Sequence, residues 1–258
     1  MQSSGRPTVA LVRRPGPRLA EGIVTHLERS DIDLDLAETQ WSAYVGALRS
    51  RNWEIVEVAP ADQCPDAVFI EDTAVMFDRL AVVTRPGASS RRPEVEGAAE
   101  TLRGLPDVEV VELPEGCLDG GDVLKIGRRV YVGIGGRTDE TGVASLRMLL
   151  GPRGWEVIGV PVTKVLHLKS AVTALPDGTV IGYLPVVDDP EAFDPFLPVP
   201  EEDGSHVVVM DETTVLMADS APRTSELLRE RGLEVIEVGI SEFIKLEGCV
   251  TCLSIRVR

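Results

Sequence analysis

Among the side chains of this 258-residue sequence, its four cysteines and three histidines have the widest chemical range. Cys252 stands in VTCLS, directly before a β-like run, where an ionised thiol could act as a nucleophile. A free thiol with a pKa of about 8.5 is only about 3% thiolate at pH 7, so such a role needs a nearby positive charge. Taken alone, a cysteine is more often a small buried hydrophobe, and His167 in VLHLKSAV is more often a structural imidazole. Asp119 in LDGGDV sits beside two glycines that let backbone approach a carboxylate closely, although a D-G-G is by itself an ordinary turn. Together, thiol, imidazole and carboxylate are the parts needed for nucleophilic attack coupled to proton transfer.

A second group is acidic. Asp66, Glu71 and Asp72 put three carboxylates within PDAVFIEDTAV, an otherwise apolar, strand-like stretch. Charges interrupting a buried strand cost several kcal/mol unless paired, so the stretch is either a solvated loop or a binding surface. A guanidinium suits several carboxylates best, because its planar fork of N–H donors pairs with them bidentately. Arg85, Arg91 and Arg92 in the turn-rich RPGASSRRPE, and Arg137 after a Gly-rich stretch, are surface charges by default. They are also the residues a ligand carboxylate would need.

The elements that must position these groups recur. A polar knot, two short β-rich runs, an amphipathic helix pattern and an apolar strand appear first as FIEDTAVMF, LAVVTRP, EVEGAAETLRGL and VEVVEL. The same order returns as CLDGGDVLKI, RRVYVGI, TGVASLRMLLGPRG and WEVIGVPV. A further unit opens with HLKSAVTAL and TVIGYLPVV, but the Pro-rich EAFDPFLPVPEEDG replaces its helix before the strand HVVVM, and mostly irregular structure is expected there. Another unit runs DETTVLMAD, SELLRERG and LEVIEVGI. The end pieces, TVALVRR with AETQWSAYVGALRSR and WEIVEVAP at one end and TCLSIRV at the other, complete a unit only if the termini meet. Polar knots at Glu71, Asp119, His167, Glu212 and Cys252 are 48, 48, 45 and 40 residues apart, the spacing of a closed ring of modules. On periodicity alone, repeated α/β units in an open sheet remain the competing reading.

Composition narrows the partners. With 43% apolar and 26% charged residues the chain can bury one well-packed domain, residues 1–258, with no sign of disorder. A net charge of −16 with no basic run disfavours nucleic acid and anionic membrane, and suits a small cationic molecule. No stretch approaches the roughly 18 apolar residues of a membrane helix, and the polar opening MQSSGRP lacks a signal-peptide core, so the cytoplasm is the expected location. Cys64, Cys117, Cys249 and Cys252 are too few and too irregular for a disulfide scaffold, and the C-x-x-C of Cys249 and Cys252 lacks the second ligand pair of a structural zinc site.

In this order the segments QWSAYVGAL, PDAVFIEDTAV, VVTRPGASSRRPEV, LDGGDVL, VYVGIGGRTDE, LHLKS and GCVTCLS resemble the dimethylarginine dimethylaminohydrolase family of the guanidine-modifying superfamily, over nearly the whole chain. The resemblance implies a five-module, pseudo-symmetric α/β propeller of repeated ββαβ units with its site on the axis. It further implies Cys252, and not Cys249, as nucleophile, His167 as acid and base, and Asp119 orienting that histidine. Asp66, Glu71, Asp72, Arg91 and Arg137 would bind substrate, Asp139 standing where the family commonly has asparagine, and a mobile loop near residues 16–24 would cover the pocket. The implied reaction takes a methylated free arginine to citrulline and an alkylamine through a covalent thiouronium, with no metal or organic cofactor, and leaves a homodimer open. Two rivals stand beside it. One is an arginine deiminase, disfavoured by the short chain and by FIEDTAV; the other is a non-catalytic propeller, disfavoured by the presence of all three catalytic groups in register.

Overall fold

Fifteen short strands form five three-stranded sheets in the computed structural model, which describes residues 8–258. The MQSSGRP opening lies outside the described residues. The first sheet holds β1 (Val9–Val12) and β2 (Glu54–Glu57); the second holds β3 (Ala74–Phe77), β4 (Leu80–Val83) and β5 (Glu109–Glu112). The third is β6 (Val123–Ile126), β7 (Arg129–Ile134) and β8 (Glu156–Pro161), and the fourth β9 (Val172–Ala174), β10 (Val180–Gly182) and β11 (Phe196–Pro198). The fifth is β12 (Val207–Val209), β13 (Thr214–Ala218) and β14 (Glu234–Val238), and β15 (Ile255–Val257) returns to join β1. In every sheet the first strand runs antiparallel to the second and the second parallel to the third. This is the repeated ββαβ unit expected from the sequence. Its first unit is completed only by the C-terminal strand, through the pairs Val9 with Val257 and Leu11 with Ile255.

Parallel neighbours need a crossover, and four of the five sheets supply it with a helix. These are α1 (Leu34–Ser50), α2 (Val95–Arg103), α3 (Glu140–Leu150) and α5 (Pro222–Glu230), with the one-turn α4 (Leu168–Ala171) and α6 (Ser241–Ile244) lying elsewhere. In α1 the buried residues Ala37, Gln40, Trp41, Tyr44, Val45 and Leu48 recur at three- and four-residue steps, and Asp33 caps the start by accepting the Leu36 N–H. The fourth sheet has no such helix: prolines at 185, 190, 195, 198 and 200 remove donors along the crossover, leaving short 3-10 turns.

The Pro-rich stretch is mostly irregular, as expected, but holds the short β11, which pairs parallel to β10. One expectation about this region needs correcting. HVVVM does not close the fourth unit but opens the fifth, where β12 pairs with β13. Glu212 therefore falls in the exposed hairpin turn between them, and the buried polar residue directly before β12 is His206.

Four of the five third strands begin with glutamate: EIVE, EVVE, EVIGVP and EVIEV in β2, β5, β8 and β14. Charges on such edges discourage pairing with another chain, and each edge also carries an ion pair, as in Arg153 with Glu109 at 2.9 Å. Each first strand is instead preceded by a polar knot: Ile70–Thr73 before β3, Gly120–Asp122 before β6, His167 with α4 before β9, and the turn holding Cys252 before β15. Residues far apart in sequence thus occupy equivalent module positions.

Candidate active site

Three of these knots line one small cavity, and the fourth, Gly120–Asp122, backs it through Asp119 and His167. Cys252, His167, Asp66, Asp72, Arg91 and Arg137 all line it, with Ile23, Phe69 and Leu246–Gly248 closing it over. Its volume is about 20 Å³, room for a single water, so nothing the size of an amino acid enters without movement of that cover. The segment near residues 16–24 is indeed part of the cover: Leu19 is fully buried, and the Ile23 N–H donates to Asp66 Oδ1 at 2.9 Å.

His167 is held by the glycine-rich knot. Its Nε2 lies 3.0 Å from Asp119 Oδ2 and 3.9 Å from Asp72 Oδ1. Asp119 is wholly buried, and its other oxygen accepts the Gly87 N–H at 2.8 Å. The glycines of LDGGD are required by contact. A Cβ on Gly120 would fall 2.0 Å from the Glu71 carbonyl oxygen, and one on Gly121 2.7 Å from the imidazole Nδ1. Burial alone would pull the imidazole pKa down. Asp72, Asp119 and Asp122 outweigh it and raise the value to about 9, so the ring is an imidazolium at neutral pH.

Asp72 answers that charge. Its Oδ2 pairs with Arg91 Nη1 at 2.5 Å and its Oδ1 accepts the Gly121 N–H at 2.7 Å; against the cost of burial, His167 and Arg91 hold its pKa well below the carboxylate range. Asp66 goes the other way, raised by burial despite Arg91. Arg91 spends most of its donors inside the protein, on Asp72, on Glu94 at 2.8 Å, and on the Asp66 and Phe69 carbonyls. Arg137 is far less committed, its nearest charged partner being Asp119 at 3.6 Å. Arg85 and Arg92 lie outside the cavity: Arg92 bonds the Pro86 carbonyl, and Arg85 bridges Leu118 through backbone.

Glu71 does not line this cavity and belongs instead to a separate, larger one. Its Oε1 is 2.5 Å from both Lys169 Nζ and Arg256 Nη2, while Oε2 is buried with no hydrogen-bond partner among the described residues. Its N–H donates to the Cys252 carbonyl at 3.1 Å, which ties the second knot to the thiol turn. Cys252 Sγ is 3.4 Å from Cys249 Sγ and 3.5 Å from the Cys249 backbone nitrogen. The Cys252 thiol is pushed well up, first by its bond to Cys249, then by burial and the carboxylates of Glu71 and Asp72. At rest it keeps its proton, and a cation arriving among these acids would reverse that balance.

Several contributors were not singled out from the sequence. Asp122, the last acid of LDGGD, accepts the Leu168 N–H at 2.9 Å and the Thr138 hydroxyl at 2.6 Å; burial raises it to about 6. Its place in the motif was the available signal. Lys169 was likewise visible as the third letter of HLKS, whereas Glu94 and Arg256 carried no mark beyond their charge. Asp139 proves to be structural: it caps α3, accepting the Gly142 N–H at 2.7 Å and the Cys117 N–H at 3.1 Å, and does not line the cavity.

Five three-stranded units, four of them ββαβ, whose knots gather a cysteine, an imidazolium and paired acids define a guanidine-modifying propeller. No protein-family model matches the chain. It is 60% identical over 250 residues to the N(G),N(G)-dimethylarginine dimethylaminohydrolase of Streptomyces coelicolor, covering 96% of each, and 34% identical over 252 residues to that of Pseudomonas aeruginosa, covering 95% of this chain and 98% of the relative. A solved structure of the Pseudomonas aeruginosa enzyme, a cysteine-to-serine mutant complexed with citrulline, superposes with a TM-score of 0.88 at 32% identity, over 96% of this chain and 98% of that one. The chain belongs to the dimethylarginine dimethylaminohydrolase family.

Proposed function

We propose that this chain, acting as one catalytic domain, hydrolyses Nω-methylated free arginine to citrulline and an alkylamine through a cysteine thiouronium. The observation that carries the reading is that Cys252 and His167 share a cavity walled by Asp66, Asp72, Arg91 and Arg137. Family membership and the citrulline complex of the Pseudomonas aeruginosa relative support it.

The substrate guanidinium enters between Asp72 and Asp66, whose buried carboxylates it pairs with. Arg137, with donors to spare, takes the larger share of the amino acid's carboxylate, and Arg91 chiefly fixes Asp72. The bound cation lowers the Cys252 pKa so that the thiol gives up its proton to water, and the thiolate attacks the central guanidinium carbon. His167, already protonated and steered by Asp119, delivers its proton to the departing alkylamine. The neutral imidazole then takes a proton from the water that attacks the thiouronium carbon, and the thiolate leaves as citrulline forms. Chemistry of this kind needs a reduced thiol, which fits a cytoplasmic enzyme.

The test is to incubate the chain separately with dimethylarginine, monomethylarginine and arginine, measuring citrulline together with dimethylamine, methylamine or ammonia. Stoichiometric alkylamine and citrulline are expected. Turnover of arginine alone, with ammonia, would make the chain a deiminase, and no citrulline from any of the three would dismiss the reading.

A further inference from the structure

The axial knots have a second side. Asp72, His167 and Cys252 line the substrate cavity, yet Glu71, Lys169 and Thr251, one or two residues away, line a separate and larger one of about 390 Å³. Its wall is made by the first strands of the modules, and it is lined by four cations, Lys125, Lys169, Arg256 and Arg258. In a chain of net charge −16 this is a marked local reversal. Among the described residues, two acidic side chains line this cavity. Glu71 is shared between Lys169 and Arg256, and Asp78 is paired with Arg128 at 2.7 Å.

Most of the remaining donors lack an anionic partner. Lys125 gives one hydrogen to the Met76 carbonyl at 2.5 Å and sits 5.6 Å from the Phe77 ring centre, touching no carboxylate. Arg258 bonds the Val209 carbonyl and lies over Trp53, also without an acid. Arg256 Nη1 is spent on the Thr251 and Ser254 carbonyls. Like charges gathered in one cavity repel, and a multivalent anion relieves that repulsion by bonding to several donors at once.

We propose that this axial cavity is a binding site for a small tetrahedral oxyanion of the phosphate or sulfate kind, held by Lys125 and Arg258 with support from Lys169 and Arg256. The site is independent of the reaction proposed above. The gathered cations repel one another: desolvation first, then Lys169, Arg256 and Arg258, against Glu71, push the Lys125 pKa down to about 7. An anion restores the Lys125 proton, so binding takes up a proton and weakens as pH rises through that value.

Calorimetric titration of the intact chain at fixed ionic strength, balanced with chloride, tests this. Inorganic phosphate and sulfate should each saturate one site per chain. Sulfate, whose own charge is constant over the range, should bind more weakly at pH 8.5 than at pH 6, with a heat that varies with buffer as protons are taken up. Lys125→Gln should lower sulfate affinity by about tenfold or more and flatten its pH dependence. Arg258→Gln, at the cavity mouth, gives a second reading should the first variant fold poorly by circular dichroism. The proposal fails if the native chain shows no saturable heat, if a well-folded variant of both residues binds undiminished, or if succinate binds as tightly as phosphate.

Discussion

At the level of single residues, the chemistry rests on a thiol that is neutral and an imidazole that is charged before substrate arrives. Two sulfurs 3.4 Å apart raise the question of which one attacks. Cys252 lines the cavity shared with His167, whereas Cys249 lines a separate cavity with His206 and Leu27. Cys252→Ser should therefore lower citrulline formation by at least about a thousandfold, since an alkoxide is far harder to generate than a thiolate, while Cys249→Ser should keep most of it. Equal loss in both would move the nucleophile. His167 makes a separate forecast for stability. Its folded pKa of about 9 stands above an unfolded value of about 6.5, so its contribution is whole below pH 6.5 and drains away as pH rises through 9. Urea unfolding should show stability falling between those values, and His167→Asn should flatten that slope; an unchanged slope would mean the imidazole is neutral.

Local elements decide whether those residues meet. The cysteine, histidine and acids could be read from the sequence because each sits in a polar phrase interrupting an apolar run, and the LDGGD glycines already signalled close approach. What sequence could not show was which oxygen takes which partner: Arg91 looks equivalent to Arg137 in sequence, yet one is saturated by Asp72 and Glu94 and the other is not. Phase was lost at Glu212 for a related reason. A hairpin turn and an axial knot both read as polar breaks, and the crossover without a helix removed the marker that separates them elsewhere. Gly121 tests the element directly. Gly121→Ala would set a methyl 2.7 Å from His167 Nδ1 and 2.8 Å from Asp72 Oδ1, so turnover should fall by about a hundredfold or more with only a modest drop in melting temperature. The cover offers a second test. Glu247 Oε1 accepts the N–H groups of Thr25 and Leu27 at 2.8 and 2.9 Å, and that of His26 as well. Glu247→Ala should free the 23–27 segment, speeding its hydrogen exchange and raising KM more than it changes kcat.

For the molecule as a whole, the decisive feature is how the ring is closed. No helix in the described residues is long and apolar enough to cross a membrane, and each three-stranded sheet is too small to stand by itself, so stability depends on neighbouring modules sealing five apolar clusters. The first sheet is the vulnerable one, because β15 reaches β1 only after the whole chain has been traversed. Removing Ile255–Arg258 would expose the faces that Ile255 and Val257 cover, costing roughly 1.5–3 kcal/mol for each side chain, and would leave Glu71 with Lys169 as its only cation. Set against a typical stability of about 5–15 kcal/mol, that loss reaches well beyond four residues. The truncated chain should lose cooperative thermal unfolding and all citrulline formation, with amide exchange accelerated first in β1 and β2. Arg256→Met, which keeps the strand but removes its charge, separates the two causes: it should unfold cooperatively, at a temperature a few degrees lower. If the truncated chain instead melted like the intact one, the modules would be independent and ring closure would contribute little.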